Sequence, residues 1–139
     1  MGTTIGETID KTVRLSEAEI IDFATRIQDH NPLHHDAEYA AGSRFGGIIA
    51  SGPHVSAIFL AMGPTHFSQY GPVIGLNFNV AFRAAVFPDR NLYMQWRVTA
   101  ANDEESLGGE VITLTGTVKD DTGTILLTGE GQLLLKDEW

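Results

Sequence analysis

Cysteine is absent from the 139 residues. Disulfides, thiolate metal sites and a cysteine nucleophile are thereby excluded. Basic charge is scarce: 9 Lys and Arg stand against 18 Asp and Glu, a formal net charge of −9. A general nucleic-acid binder needs the opposite balance. Long apolar runs are missing too. The longest, Val55 to Met62, falls far short of the ~20 residues that span a bilayer. The opening MGTTIGETID has no basic region and no apolar core, so it does not read as a signal peptide, and it lacks the Ser or Thr at position six of a lipidation motif. The expectation is a cytoplasmic protein with neither nucleic acid nor membrane as partner. Its 139 residues are expected to form a single domain, 1–139, since domains commonly run ~100–150 residues.

What is present divides into two halves. Residues 1–68 carry helical signals. Ser16 and Glu19 match a capping box, and Ile20, Phe23, Ala24 and Ile27 then recur at helical spacing. Asn31-Pro32 is expected to end that helix, because a residue before proline is pushed out of the helical region, with Gln28 to His35 as loop. Asp36 caps a short second helix. Ser51-Gly52-Pro53 opens a third, with proline where its missing N–H costs nothing, and Gly63-Pro64 is expected to stop it. Its residues are apolar nearly all round, which predicts burial.

Residues 72–136 alternate with period two. Ile74, Leu76, Phe78, Val80 and Phe82 form one apolar face. Leu92, Met94, Trp96, Val98 and Ala100 form the next. Ile112, Leu114, Gly116 and Val118 follow, then Ile125, Leu127, Leu133 and Leu135. One-sided alternation marks antiparallel strands. Turns are expected at Pro88-Asp89, Asn102-Asp103-Glu104 and Asp120 to Gly123, and a further strand at Thr8 to Leu15. The reading is an α+β fold: an antiparallel sheet of about five strands wrapped around a long buried helix, the hotdog arrangement. The second face of the strands is only moderately polar, which predicts pairing with another subunit.

The densest polar cluster is Asp29-His30-Asn31-Pro32-Leu33-His34-His35-Asp36. Three readings compete. In the first it is an ordinary loop, with Asp36 as a cap and His30 and His35 solvated. In the second, histidine and carboxylate ligate a metal, but no spacing here is a strong signature and adjacent histidines do not easily share one ion. In the third, Asp29 and His34 form an acid–base pair. Histidine titrates near neutrality, and a carboxylate within reach orients it. No nucleophile stands beside them, so proton transfer is favoured over covalent catalysis. A second feature is the start of the third helix at Ser51-Gly52. Unpaired N–H groups, a partial positive charge and close backbone access are the parts of an oxyanion hole.

The run Asp29 to Ala40, followed by Phe45-Gly46, Ile48-Ile49-Ala50 and Gly52, resembles the hydratase motif of the MaoC-like family, which includes R-specific 2-enoyl-CoA hydratases. Phe82 to Asp89 resembles a later family segment more loosely. The resemblance implies a single hotdog fold and a homodimer or higher homo-oligomer with a continuous sheet. It implies that Asp29 and His34 are catalytic and that the Gly52 amide holds the thioester carbonyl. Asn31 and Ser51 join Gly52 as substrate-binding candidates. Three positions depart from the family: Ser51 where histidine is frequent, Leu60 where a polar residue can face substrate, and Ala85 where proline is usual.

The expected activity is reversible hydration of a trans-2-enoyl thioester, carried on coenzyme A or acyl carrier protein, to the (R)-3-hydroxyacyl thioester, with no cofactor and no metal. The alternatives are a hotdog thioesterase and a non-catalytic acyl-thioester-binding or scaffold protein. An anionic carrier needs a local basic patch, for which Arg44, Arg83, Arg90 and Arg97 are candidates, although for any single one a solvated surface charge is the favoured reading.

Overall fold

The computed structural model describes residues 3–139. In chain order the elements are β1 (Thr8–Arg14), α1 (Glu17–Arg26), a 3-10 turn (Pro32–His34), α2 (Ala37–Ala41), α3 (Gly52–Phe67), β2 (Val73–Phe82), β3 (Asn91–Glu104), a second 3-10 turn (Glu105–Leu107), β4 (Gly109–Lys119) and β5 (Ile125–Leu135). The five strands form one antiparallel sheet in the order β1-β3-β4-β5-β2. The sheet wraps α3, as the alternation predicted.

The core lies between α3 and the inner face of β3, β4 and β5. Leu92, Met94, Trp96 and Val98 from β3, Ile112, Leu114 and Val118 from β4, and Leu127, Leu133 and Leu135 from β5 are all buried. Trp96 stacks on Phe59 of α3 at 4.1 Å, and its indole N–H donates to the Phe59 carbonyl at 2.8 Å. The one polar atom of this large ring is thereby satisfied inside the core.

Several expectations are corrected. First, α3 does not stop at Gly63-Pro64 but continues to Phe67. Pro64 removes one helical hydrogen bond, and the fully buried Phe67 beyond it offsets that loss. Gly63 packs closely on the sheet, where a Cβ would sit 3.0 Å from the end of the Leu133 side chain. Second, α3 is not buried all round. Val55, Phe59, Met62 and Phe67 face the sheet, whereas Ala57 and Ala61 are exposed, because one sheet covers only one side of a helix. Third, the loop opens at Gln28 as expected, but α1 is closed by its own backbone and not by Asn31-Pro32. Gln28 adopts φ 60°, and the N–H groups of Gln28 and Asp29 return to the carbonyls of Thr25 and Ala24. This is a Schellman termination with a residue other than glycine in the left-handed region. Fourth, β2 is an edge strand. Phe78 and Val80 are half-buried, but Ile74, Leu76 and Phe82 are exposed. Fifth, Asn102 to Glu104 pair with β4, and the chain reverses at Glu105 to Gly108 instead. Sixth, Ile125 is exposed and Leu126 buried, next to a register shift at Val118 and Lys119.

Candidate functional site

Two local devices fix the Asp29 backbone. The Schellman bond from the Asp29 N–H to the Ala24 carbonyl (2.9 Å) ties it to α1. The His35 ring, half-buried, is bonded through Nε2 to the Asp29 carbonyl at 2.5 Å. His35 is therefore not a solvated side chain; it braces the loop. His30 is exposed, as anticipated. One Asp29 carboxylate oxygen accepts from the Asn31 N–H at 3.2 Å. Asn31 in turn caps the 3-10 turn, its Oδ1 accepting from the Leu33 N–H at 3.1 Å. That turn presents His34 inward, where it is buried.

The His34 geometry assigns its tautomer. Nδ1 lies 2.7 Å from the Ile49 carbonyl oxygen, which can only accept, so Nδ1 carries the proton. In the neutral ring Nε2 then holds a lone pair, and it faces Asp29 Oδ2 at 3.7 Å. This distance is too long for a direct hydrogen bond and leaves both atoms beside one small volume. The two other histidines of the motif diverge from it, and no three His, Asp or Glu side chains gather into a ligand set among the described residues.

The start of α3 completes the site. Ser51 is fully buried, and its hydroxyl accepts from the His54 N–H at 3.3 Å. The Val55 N–H turns to the Ser51 carbonyl, and Pro53 has no N–H. The Gly52 amide is thus the first-turn donor left without a partner among the described residues. A Cβ at Gly52 would lie 2.9 Å from the Phe82 ring, so a side chain there would force the two apart. A cleft of about 470 Å³ contains Asn31, His34, Ser51 and Gly52, walled by Phe45, Val55, Phe82 and Leu127. Asp29 does not line it; its carboxylate stands 3.7 Å from His34 Nε2.

The structure adds residues the motif did not single out. His54 is buried at the third position of α3, stacks on Phe23 of α1 at 4.2 Å with planes 3° apart, and leaves Nδ1 without a partner. Burial pushes its imidazole below the ordinary histidine value, and the Glu19 carboxylate opposes this only in part. The stack joins α1, which leads into Asp29, to the helix that begins at Gly52. Of the four arginines considered for a basic patch, Arg44 and Arg83 line the cleft, whereas Arg90 packs over the Phe87 ring and Arg97 stands on β3 away from it. Nothing in the residue pattern alone separates these pairs, because their grouping depends on strand order.

The chain has relatives among known proteins. A family model described as MaoC like domain matches residues 1–120. The (R)-specific enoyl-CoA hydratase of Aeromonas caviae is 26% identical over 131 residues, covering 94% of each chain. The solved structure of the A. caviae (R)-hydratase involved in PHA biosynthesis superimposes with a TM-score of 0.86 over 96% of this chain and 98% of that one. The MaoC-like dehydratase of Rhodospirillum rubrum, 24% identical, shares the fold with a TM-score of 0.81, over 96% of this chain and 94% of that one. A sheet wrapped on one helix, the match over most of the chain and hydratase-type hotdog neighbours together make this chain a member of the MaoC-like family.

Proposed function

We propose that the chain is a hydro-lyase that adds water to a trans-2-enoyl thioester, on coenzyme A or acyl carrier protein, giving the (R)-3-hydroxyacyl thioester, or runs the reverse dehydration. The observation that carries this reading is the approach of His34 Nε2 to Asp29 Oδ2 at 3.7 Å beside a cleft that His34 and Gly52 both line. In hydration, one water sits between the carboxylate and the imidazole. One of these groups accepts its proton as the oxygen forms a bond to the β-carbon. The carbonyl π-system takes up the displaced electron pair as an enolate, whose oxygen is stabilised by the Gly52 N–H and the positive end of α3. A proton from the pair then goes to the α-carbon, and the carbonyl reforms. Asp29 and His34 act on one shared water. Asn31 and Ser51 hold the turn and the helix start, so their part in substrate binding is to shape the cleft wall. The kinship with an (R)-specific enoyl-CoA hydratase supports the stereochemical assignment.

The test is loss of enoyl absorbance with crotonyl-CoA after exhaustive chelation, with the product resolved on a chiral column. Formation of (R)-3-hydroxybutyryl-CoA supports the reading. Release of free thiol without hydration points to a thioesterase, and binding without turnover to a non-catalytic protein.

The active form is read as a homodimer or larger homo-oligomer. The support is an edge strand, β2, with Ile74, Leu76 and Phe82 exposed at 44%, 40% and 59%, beside an α3 whose alanine side is open. Unpaired edges carrying apolar side chains are ordinarily covered.

A further inference from the structure

Asp29 and His34 are anchored to different helices. The His34 ring is held by the Ile49 carbonyl at 2.7 Å, and the Ile49 N–H returns to the Leu33 carbonyl at 3.2 Å. Both bonds tie the 3-10 turn to the segment that enters α3 at Gly52. Asp29 takes its place from the other side, where its N–H closes α1 on the Ala24 carbonyl at 2.9 Å. The 3.7 Å approach of Nε2 to Oδ2 therefore spans a junction between α1 and α3. No salt bridge and no backbone hydrogen bond joins α1 to α3 among the described residues.

What crosses the junction is a pair of rings. His54, in the same first turn of α3 as Gly52, lies flat on the half-buried Phe23 of α1, 4.2 Å away with planes 3° apart. The buried Nδ1 of His54 has no partner, which costs stability and places nothing. What the residue supplies is a flat face. Ring pairs favour particular offsets and tilts, whereas aliphatic burial, such as that of Ile20 in the core, is non-directional. Burial holds two helices together; a flat stack also fixes their spacing and turn.

We propose that His54 is a positioning residue: its stack on Phe23 sets α1, and with it the Asp29 carboxylate, against His34 and the Gly52 amide. His54 is not on the wall of the cleft and acts through the backbone of α1. Groups that share a reaction must be held within roughly 0.5 Å of their productive geometry by the residues behind them. The effect on turnover rests on the hydratase reading; the placement of Asp29 beside His34 does not.

His54→Leu and Phe23→Leu keep an apolar contact and remove the stack. Each should lower kcat about tenfold with KM for crotonyl-CoA unchanged, less than the roughly hundredfold that a 1 Å misplacement can cost. The double variant should lose no more than either single one, because both remove the same interaction. His54→Phe restores a flat ring without nitrogens and should recover most of the loss. Ile20→Val trims the core contact of α1 and leaves the stack intact; it should lower the melting temperature and leave kcat of the folded protein unchanged. In parallel, the ring-nitrogen NMR signals of His34, assigned by their loss in His34→Gln, should move in both leucine variants and hold still in His54→Phe and Ile20→Val. Unchanged kcat in folded His54→Leu, a rise in KM alone, an equal kcat loss in Ile20→Val, or a loss in folded His54→Phe as large as in His54→Leu overturns the proposal while leaving the hydratase reading standing. A wild type that hydrates no enoyl thioester sinks that reading instead. The His34 signals then decide the placement: movement in the leucine variants upholds it, and constancy overturns it.

Discussion

At the scale of single residues, the site places unequal demands on its side chains. Asp29 and His34 are proposed to exchange protons with the same water, and such groups contribute roughly 10²–10⁴-fold each. Asp29→Asn and His34→Ala should each lower kcat at least about a hundredfold, and the double variant should lose far less than the product, since residues working as a unit are non-additive. Near-normal turnover in Asp29→Asn would reduce the carboxylate to a structural cap for the Asn31 N–H. His30→Ala should be neutral. His35→Ala should lower turnover on the order of tenfold, about the worth of the hydrogen bond it makes to the Asp29 carbonyl, and His35→Gln, which keeps a donor, should recover part of it. His54 makes a separate prediction about pH. Its folded value lies below that of the unfolded chain, for which 6.5 is the reference. As pH falls below that reference the unfolded state takes up a proton that the folded state refuses, so stability is complete above it and drains away as pH drops through the folded value. A melting-temperature series should decline from about pH 6.5 downward. His54→Leu, which keeps an apolar contact with Phe23 and removes the orphaned nitrogen, should flatten that part of the decline; an unchanged slope would place the loss elsewhere.

Among the elements, α1 does the most to build the site without touching it. Its start is secured by the reciprocal bonds of Ser16 and Glu19, at 3.0 and 3.1 Å, and its end by the Schellman bonds that hand the chain to Asp29. The weak point is Gln28, held at φ 60°. A β-branched residue is strongly disfavoured there, and the left-handed conformation costs an L-residue roughly 1–2 kcal/mol. Gln28→Val should therefore destabilise the fold by about that amount and also lower activity, because the strain is relieved by shifting Asp29. Ser16→Ala, at the far end of the same helix, should cost about 1 kcal/mol with little effect on turnover of the protein that remains folded. Denaturant titration alongside the enoyl assay separates the two; equal activity losses would show that α1 moves as a rigid body.

On the scale of the molecule, the sheet has two edges and only one helix to cover its face. The β1 edge is polar, with Asp10 and Gln95 bonded across it at 2.7 Å. The β2 edge is not: it exposes Ile74, Leu76 and Phe82, and Phe82 also lies against Gly52. Assembly through β2 would thus cover apolar surface and close one wall of the cleft together. Leu76→Lys places a charge on that edge, a device that blocks edge pairing. Sedimentation should show a dimer or larger species for the wild type, and a shift toward a folded 15.1 kDa monomer with reduced turnover for the variant. A fully active wild-type monomer would remove the case for assembly.

What the sequence determined by itself is the part governed by short-range chemistry. The Ser16, Asp36 and Ser51 caps, the strand alternation from Leu92 to Leu135 and the grouping of Asp29, Asn31 and His34 all depend on residues a few positions apart. A capping hydroxyl or a period of two acts over that same distance, and the motif therefore pointed to its family. Tertiary structure decided whatever depends on who the neighbour is. Pro64 breaks helices locally, yet α3 runs on because burial of Phe67 outweighs one lost hydrogen bond. The apolar side of β2 alternates like that of β3, yet it is exposed because β2 lies at the edge of the sheet. His35 looked solvated until the loop folded its ring onto the Asp29 carbonyl. Arg44 and Arg83, 39 positions apart, both line the cleft at Gly52 only because the strand following α3 returns to the start of that helix. Periodicity specifies which face of an element is apolar. It carries no information about strand order, and strand order decides which apolar faces are covered and which charges meet.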